Sequence, residues 1–258
     1  MILKNGNNVI RIGNNVLNNS VSNFKNNCLW CFEMDQSQTD YLVDATGNYN
    51  NYFTLYNPGS NFTNSIQQPG KINYSIRTYR TAYDAGLGII DIYKIINTTI
   101  DTNRSYSFWI KSNDFIQGGS NAYVFFKSNN ESVSQPYPGF HFRFNEFTSK
   151  INIQYTSTVS TNNDFNINTG PTISQNTWYH IVIVFKNRTN NLDLYVNGVK
   201  YSYDGGSTYG DLNYYIQRYE LGINRYNYDQ FALFNYSLRD FDVLRLYNNG
   251  NGLAYTSW

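Results

Sequence analysis

The chain has 258 residues, 41% of them hydrophobic and 18% aromatic. That is too apolar for a disordered polymer and long enough for one large β domain or two small ones. Only 14% of residues are charged, the net charge is +1 and there is no basic run, which argues against a nucleic-acid groove built on phosphate contacts. Nothing approaches the ~20 consecutive apolar residues of a membrane span. Asn and Gly interrupt the first residues before a secretion signal's apolar stretch of ~7–15 residues could form, so neither a membrane protein nor a Sec substrate is expected.

Polarity is carried by 41 Asn and 25 Tyr rather than by charge. Asn favours turns and Tyr suits half-buried strands, so the composition predicts many strands joined by many turns. The chain begins "MILKNGNNVIRIGNNVLNN", with GNNV at Gly6–Val9 and again at Gly13–Val16. Ile2, Leu3, Val9, Ile10, Ile12, Val16 and Leu17 flank these turn-like pieces. The pattern predicts an arm over residues 1–22, made of two strands too short for a core of their own.

A body over residues 23–258 follows, with the boundary between Ser20 and Asn27. Cys28 and Cys31 are the only cysteines. A zinc site needs more ligands nearby and a redox pair wants a helix N-terminus. "CLWCFEM" reads as a strand, where residues three apart face opposite ways; two buried, reduced thiols are expected. Strands are expected over Leu87–Tyr93, Ala122–Lys127, Phe140–Phe144, Ile151–Tyr155, Tyr219–Ile223 and Tyr228–Phe234. "SYSFWIK" places Tyr106, Phe108 and Ile110 on one face and Trp109 on the other. "TWYHIVIVFK" is apolar on both faces, the mark of a central strand covered on each side. Leu192, Leu194 and Val196 alternate after it, and Asn197-Gly198 predicts a type I′ hairpin turn. One helix stands out in "SLRDFDVLRLYNNG": Ser237 reads as N-cap with Asp240 three residues on. Leu238, Phe241, Val243, Leu244 and Tyr247 form its stripe, and Gly250 its end. The spacing of strands and turns predicts an all-β, antiparallel two-sheet sandwich with one short C-terminal helix.

Four pieces carry a family pattern: "LVDATGNYNNY" (Leu42–Tyr52), "FWIKS" (Phe108–Ser112), "NTWYHIVIVFKNRTNNLDLYVNGVK" (Asn176–Lys200) and "YDQFALFNYSLRDFDVLRLY" (Tyr228–Tyr247). In order and spacing they resemble the laminin-G-like, concanavalin A-like jelly-roll domains. The resemblance spans roughly Leu29 to Tyr247 and leaves out the arm. It implies a jelly-roll sandwich of the kind that serves lectins, adhesion domains, laminarinase-type glycosidases and viral appendages. It also implies a candidate structural Ca²⁺, with Asp229 at the late-strand position and Asp44, in the early turn, as its neighbour.

Glycosidases on this fold use an E-x-D-x-x-E strand whose carboxylates act as nucleophile and acid. The four glutamates are Glu33, Glu131, Glu146 and Glu220, and none begins such a pattern. Glu33 and Asp35 sit two apart, but position 38 is Gln38. No G-x-S-x-G elbow exists, and His180 lies in an apolar strand, which favours a core histidine over a catalytic one. No enzyme is expected. Sugar or protein contacts are best served by the Tyr- and Gly-rich stretch Tyr201–Tyr215. There Tyr203, Tyr209 and Tyr214 can stack, and Asp204 and Asp211 can accept hydroxyls. The sequons at Asn61, Asn103 and Asn187 are chance products of an Asn-rich chain.

An extracellular type of fold without a secretion signal fits a phage virion protein, assembled in the host cytoplasm and released by lysis. In that reading the arm docks to another virion protein, or to sister copies in a homo-oligomer, by adding strands to its sheet. The alternative for the arm is a hairpin folded back on its own sandwich. The competing readings for the whole chain are a glycan-binding lectin-like module and an unusual glycosidase.

Overall fold

The computed structural model describes residues 10–12, 15–17, 25–35, 41–47, 52–56, 67–77, 89–93, 103–113, 123–129, 139–144, 149–156, 162–165, 170–186, 191–204, 218–221 and 226–258. In chain order the strands are β1 (Ile10–Ile12), β2 (Asn15–Leu17), β3 (Cys28–Phe32), β4 (Tyr41–Val43), β5 (Tyr52–Tyr56), β6 (Gln68–Pro69), β7 (Tyr74–Arg77), β8 (Ile89–Tyr93) and β9 (Arg104–Ser112). They continue as β10 (Tyr123–Asn129), β11 (Gly139–Phe144), β12 (Ile151–Thr156), β13 (Asn162–Phe165), β14 (Trp178–Phe185), β15 (Asn191–Val196), β16 (Val199–Asp204), β17 (Arg218–Leu221) and β18 (Tyr226–Phe234), before helix α1 (Asp240–Tyr247).

Two antiparallel sheets form the body. One runs β13-β12-β11-β10-β17-β8-β5-β4. The other runs β16-β15-β14-β9-β18-β7-β6, with β3 also paired to β18. Their facing sides share one apolar core. Trp30, Phe108, Ile181, Leu194 and Phe231 come from the second sheet, and Leu42, Phe142, Phe144 and Ile151 from the first. Trp30 packs against Phe231 at 5.0 Å between ring centroids. Fully burying an apolar side chain of this kind contributes about 1.5–3 kcal/mol.

The second sheet is apolar on its outer side as well, as the doubly apolar β14 requires. Ile181 and Ile183 enter the core between the sheets, while Val182 and Val184 join Cys28, Cys31, Tyr195, Ala232, Phe234, Val243 and Leu246 in an outer cluster. Helix α1 and the C-terminal residues Tyr255 and Trp258 cover that cluster. The arm's β1 and β2 pair with each other, Ile10 opposite Leu17 and Ile12 opposite Asn15. Among the described residues they form a separate two-stranded sheet; Ile2, Leu3 and Val9 lie outside those residues.

Three local expectations change. Cys28 and Cys31 are both buried free thiols, yet they share the outer cluster instead of facing opposite ways. Phe234 pairs with Cys28 and Leu233 with Trp30, so Leu29 is an extra residue in a β-bulge, and the bulge cancels the alternation. Burial pushes both thiols well up from their ordinary range, which makes them unreactive. The helix begins at Asp240 with Arg239 as its N-cap, because Asp242 takes the Arg239 amide at 3.1 Å. Ser237 instead donates to the Phe185 carbonyl at 2.8 Å. Its last turn closes on Asn248, in the left-handed region at φ 47°, ahead of Gly250. The Asn197-Gly198 turn is as expected, with φ of 52° and 76°.

Candidate functional site

Strand register sets out the outer face of the second sheet in rows. Asp229 on β18 lies opposite Trp109 on β9, and Trp109 opposite His180 on β14. All three are at most 1% exposed. After Asp229 the register of β18 shifts, and Gln230 takes the left-handed conformation at φ 46°. The bulge returns Phe231 to the inner core and Ala232 to the outer cluster. Gln230 Nε2 donates to the Leu253 carbonyl, which ties the C-terminal residues over this row.

Asp229 Oδ2 accepts the backbone amides of Lys71 and Ile72, each at 2.7 Å. Burial pushes its carboxyl up to about 8, against the pull of those two amides. The turn approaches closely, since a Cβ on Gly70 would stand 2.7 Å from Asp229 Oδ2. Asp44 is equally engaged: Oδ1 accepts the amides of Cys31 and Thr46, and Oδ2 the Thr46 hydroxyl at 2.7 Å. The two carboxylates thus serve separate turns. The groups bonded to them are N–H and O–H donors, whereas a Ca²⁺ ion wants six to eight oxygens. Among the described residues no three His, Cys, Asp or Glu side chains gather as a metal site.

His180 shares a 3.0 Å hydrogen bond between Nε2 and Ser107 Oγ. A serine beside a histidine invites a nucleophile reading, but Nδ1 carries no partner that would orient the ring. Ser107 is 4% exposed, and the His180 ring stacks against Tyr247 and lies against Trp109. Burial pulls its pKa down to about 3, which keeps the ring neutral. The pair is sealed from substrate and has no third member among the described residues.

One step further along the strands the face opens. Arg77 on β7 lies opposite Asn227 on β18, Asn227 opposite Lys111 on β9, and Lys111 opposite Trp178 on β14. Arg77, Lys111 and Trp178 are half-buried, and Asn227 is 3% exposed. The Lys111 ammonium stands 5.1 Å above the Trp178 ring. Burial and the neighbouring Arg77 charge lower the Lys111 pKa. Asn227 donates through Nδ2 to Ser75 Oγ at 2.9 Å and accepts from Asn113 Nδ2, so its carboxamide is locked from both ends. Beside it the Lys71 ammonium lies 5.2 Å from the Trp109 ring.

The aromatic loop expected to carry a ligand is described only at its start. Tyr203 and Asp204 close β16, opposite Leu192 and Asn191, whereas Tyr209, Asp211 and Tyr214 lie outside the described residues. The open row was not anticipated. Its signal is the outward-facing set of β14 and β18, which changes from Val182, Val184 and Ala232 to Trp178, Asn227 and Asp229.

Comparison with known proteins places the fold. Domain 4 of AbnA, a GH43 extracellular arabinanase from Geobacillus stearothermophilus solved with arabinotriose, is similar at TM-score 0.62 and 15% identity, over 88% of this chain and 98% of that one. The binding domain of Paraclostridial Mosquitocidal Protein 1 is similar at 0.63 and 20%, over 88% of this chain and 53% of that one. The ligand-binding domain of botulinum neurotoxin serotype D, solved with N-acetylneuraminic acid, is similar at 0.60 and 17%, over 88% and 52%. The chain therefore spans about half the length of the toxin domains. No curated protein matches. A sequence profile of the concanavalin A-like lectin/glucanases superfamily, of laminin-G type, matches residues 90–244, more than half of the chain. Together with the two antiparallel sheets this is enough: the chain belongs to the concanavalin A-like lectin/glucanases superfamily.

Proposed function

We propose that the chain is a non-enzymatic carbohydrate-binding module. The observation that carries this reading is the contrast on the outer face. The Ser107–His180 pair is buried and incomplete, while the neighbouring row presents the half-buried Trp178 beside polar side chains held in place. An aromatic surface with a few fixed polar groups is how binding sites combine contact area with orientation. The similar domains solved with arabinotriose and N-acetylneuraminic acid support the reading. Its test is a glycan array with the purified chain, together with an assay of reducing-sugar release from polysaccharides. Retention of a defined glycan set without turnover is expected. Release of sugar would make the chain a glycosidase, and retention of no glycan would end the binding reading.

A second reading concerns where the module sits. The β1–β2 hairpin pairs with itself and joins neither large sheet among the described residues. A lone two-stranded hairpin is marginal in water and offers unpaired edges. That supports an arm that docks to a phage particle protein, or to sister copies, with the jelly roll displayed outward. Removal of residues 1–20 is expected to abolish incorporation into particles while leaving the sandwich folded. Incorporation that persists without the arm would end this reading.

A further inference from the structure

The row Arg77–Asn227–Lys111–Trp178 draws one residue from each of four neighbouring strands. Three interstrand spacings of ~4.8 Å make it about 14 Å long, enough for a short saccharide. We propose that this row binds an acidic saccharide, the Lys111 ammonium taking its anionic group and Trp178 an apolar ring face. The proposal rests on the carbohydrate reading above and narrows its ligand class.

Charge is the first argument. Arg77 and Lys111 flank Asn227 on one face, and Lys71 stands on the adjoining turn. Among the described residues Lys111 forms no ion pair; its contact is the Trp178 ring. Two like charges so close disfavour each other, and Lys111 holds its proton less firmly for burial and for Arg77. An incoming anion relieves both effects at once. Among the described residues, Asp229 accepts the Lys71 and Ile72 amides, and Asp35 accepts from Asn73 and the Tyr74 amide.

Rigidity is the second argument. Asn227 is fixed by Ser75 and Asn113, and Ser75 Oγ lies 3.2 Å from the Gln68 and Pro69 carbonyls. The Asn176 amide donates to the Ser112 carbonyl at 2.7 Å, which anchors the chain entering Trp178 to the end of β9. A site whose groups are already held in place loses little freedom on binding.

The test uses one array of neutral, carboxylated and sulfated glycans at low and moderate salt. It is probed with the wild-type chain and with Lys111→Gln, Trp178→Ala and, as a distant control, Lys200→Gln. Thermal melts establish that each variant is folded. The expected result is retention of carboxylated or sulfated glycans, weakened by salt, reduced tenfold or more in Lys111→Gln and Trp178→Ala and unchanged in Lys200→Gln. The two acidic arms tell which anion is recognised. Neutral glycans alone, or acidic binding unchanged in folded Lys111→Gln, would overturn the acidic site and leave the carbohydrate reading standing. A folded wild-type chain that retains no glycan would overturn both.

Discussion

Asp229 holds the Lys71 backbone amide at 2.7 Å although 158 residues separate them in the chain. The same oxygen takes the Ile72 amide, so one carboxylate holds the first half of the β6–β7 turn beside the open row, and Asp35 holds Asn73 and the Tyr74 amide in the second half. Replacing Asp229 with Ala leaves both amides without their acceptor and is expected to destabilise the chain by about 1–3 kcal/mol. Replacement with Asn keeps an acceptor oxygen and is expected to do less harm. The carboxyl's folded pKa, about 8, stands above its ordinary 3.8, so the folded chain binds the extra proton. Its contribution is therefore greatest below about 4 and is lost as pH rises towards 8. Urea melts from pH 4 to 8 check this: Asp229→Asn is expected to flatten the decline, and an unchanged slope would assign it to other groups.

His180 works in the opposite direction. Burial holds its folded pKa near 3, below the ordinary 6.5, so the unfolded chain binds the extra proton. Its contribution is complete above pH 6.5 and is lost as pH falls towards 3. Between about 4 and 6.5 the two groups therefore oppose each other. Of the two, only His180→Gln is expected to remove the acid-side loss, at the expense of repacking against Trp109 and Tyr247. Melting temperatures of wild type and variant across pH 3.5–7 distinguish the two contributions.

The Asn197-Gly198 turn supports the helix as well as the hairpin. Gly198 has φ 76°, and a Cβ there would stand 3.1 Å from both Leu244 Cδ2 and Tyr247 Cδ1. Gly198→Ala is expected to cost about 1–2 kcal/mol from the left-handed backbone alone, with further loss where Tyr247 is displaced from Trp109. Near-ultraviolet circular dichroism should report that displacement. Asn197→Gly, which keeps the backbone freedom but removes the side-chain bond to the His180 amide at 2.9 Å, is expected to be milder.

The strands that alternate cleanly were legible in the sequence. Tyr106, Phe108 and Ile110 enter the core and Trp109 faces outward, as "SYSFWIK" implies. What escaped depends on single inserted residues or on pairing across the sheet. Leu29 turns Cys31 to the same side as Cys28, and Gln230 resets β18 after Asp229. Neither bulge has a glycine to announce it. The helix start moved because Ser237 found the Phe185 carbonyl, a partner distant in sequence. The open row was hidden for the same reason: Arg77, Lys111, Trp178 and Asn227 become neighbours only once the order β7-β18-β9-β14 is known. The change of the outward-facing residues from Val182, Val184 and Ala232 to Trp178, Lys111 and Asn227 was the local hint.

The helix is fastened to the sheet at its first residue. The Tyr195 hydroxyl donates to Asp240 Oδ1 at 2.6 Å, and Lys200 reaches the same oxygen at 3.3 Å while also meeting Asp193 at 3.0 Å. The hydrogen bond pulls the Asp240 carboxyl down, and burial pushes the Tyr195 hydroxyl up. The Asp240 side chain is 69% exposed, so solvent screens its carboxylate. Tyr195→Phe is therefore expected to cost only about 1 kcal/mol, near the net value of an ordinary hydrogen bond. Lys200→Gln is expected to cost less than that, as exposed ion pairs do, and its effect should fade in high salt while that of Tyr195→Phe persists. Urea melts at low and high salt separate the two. A large, salt-sensitive loss in Tyr195→Phe would mean that charge, and not the hydroxyl, holds α1 to the sheet.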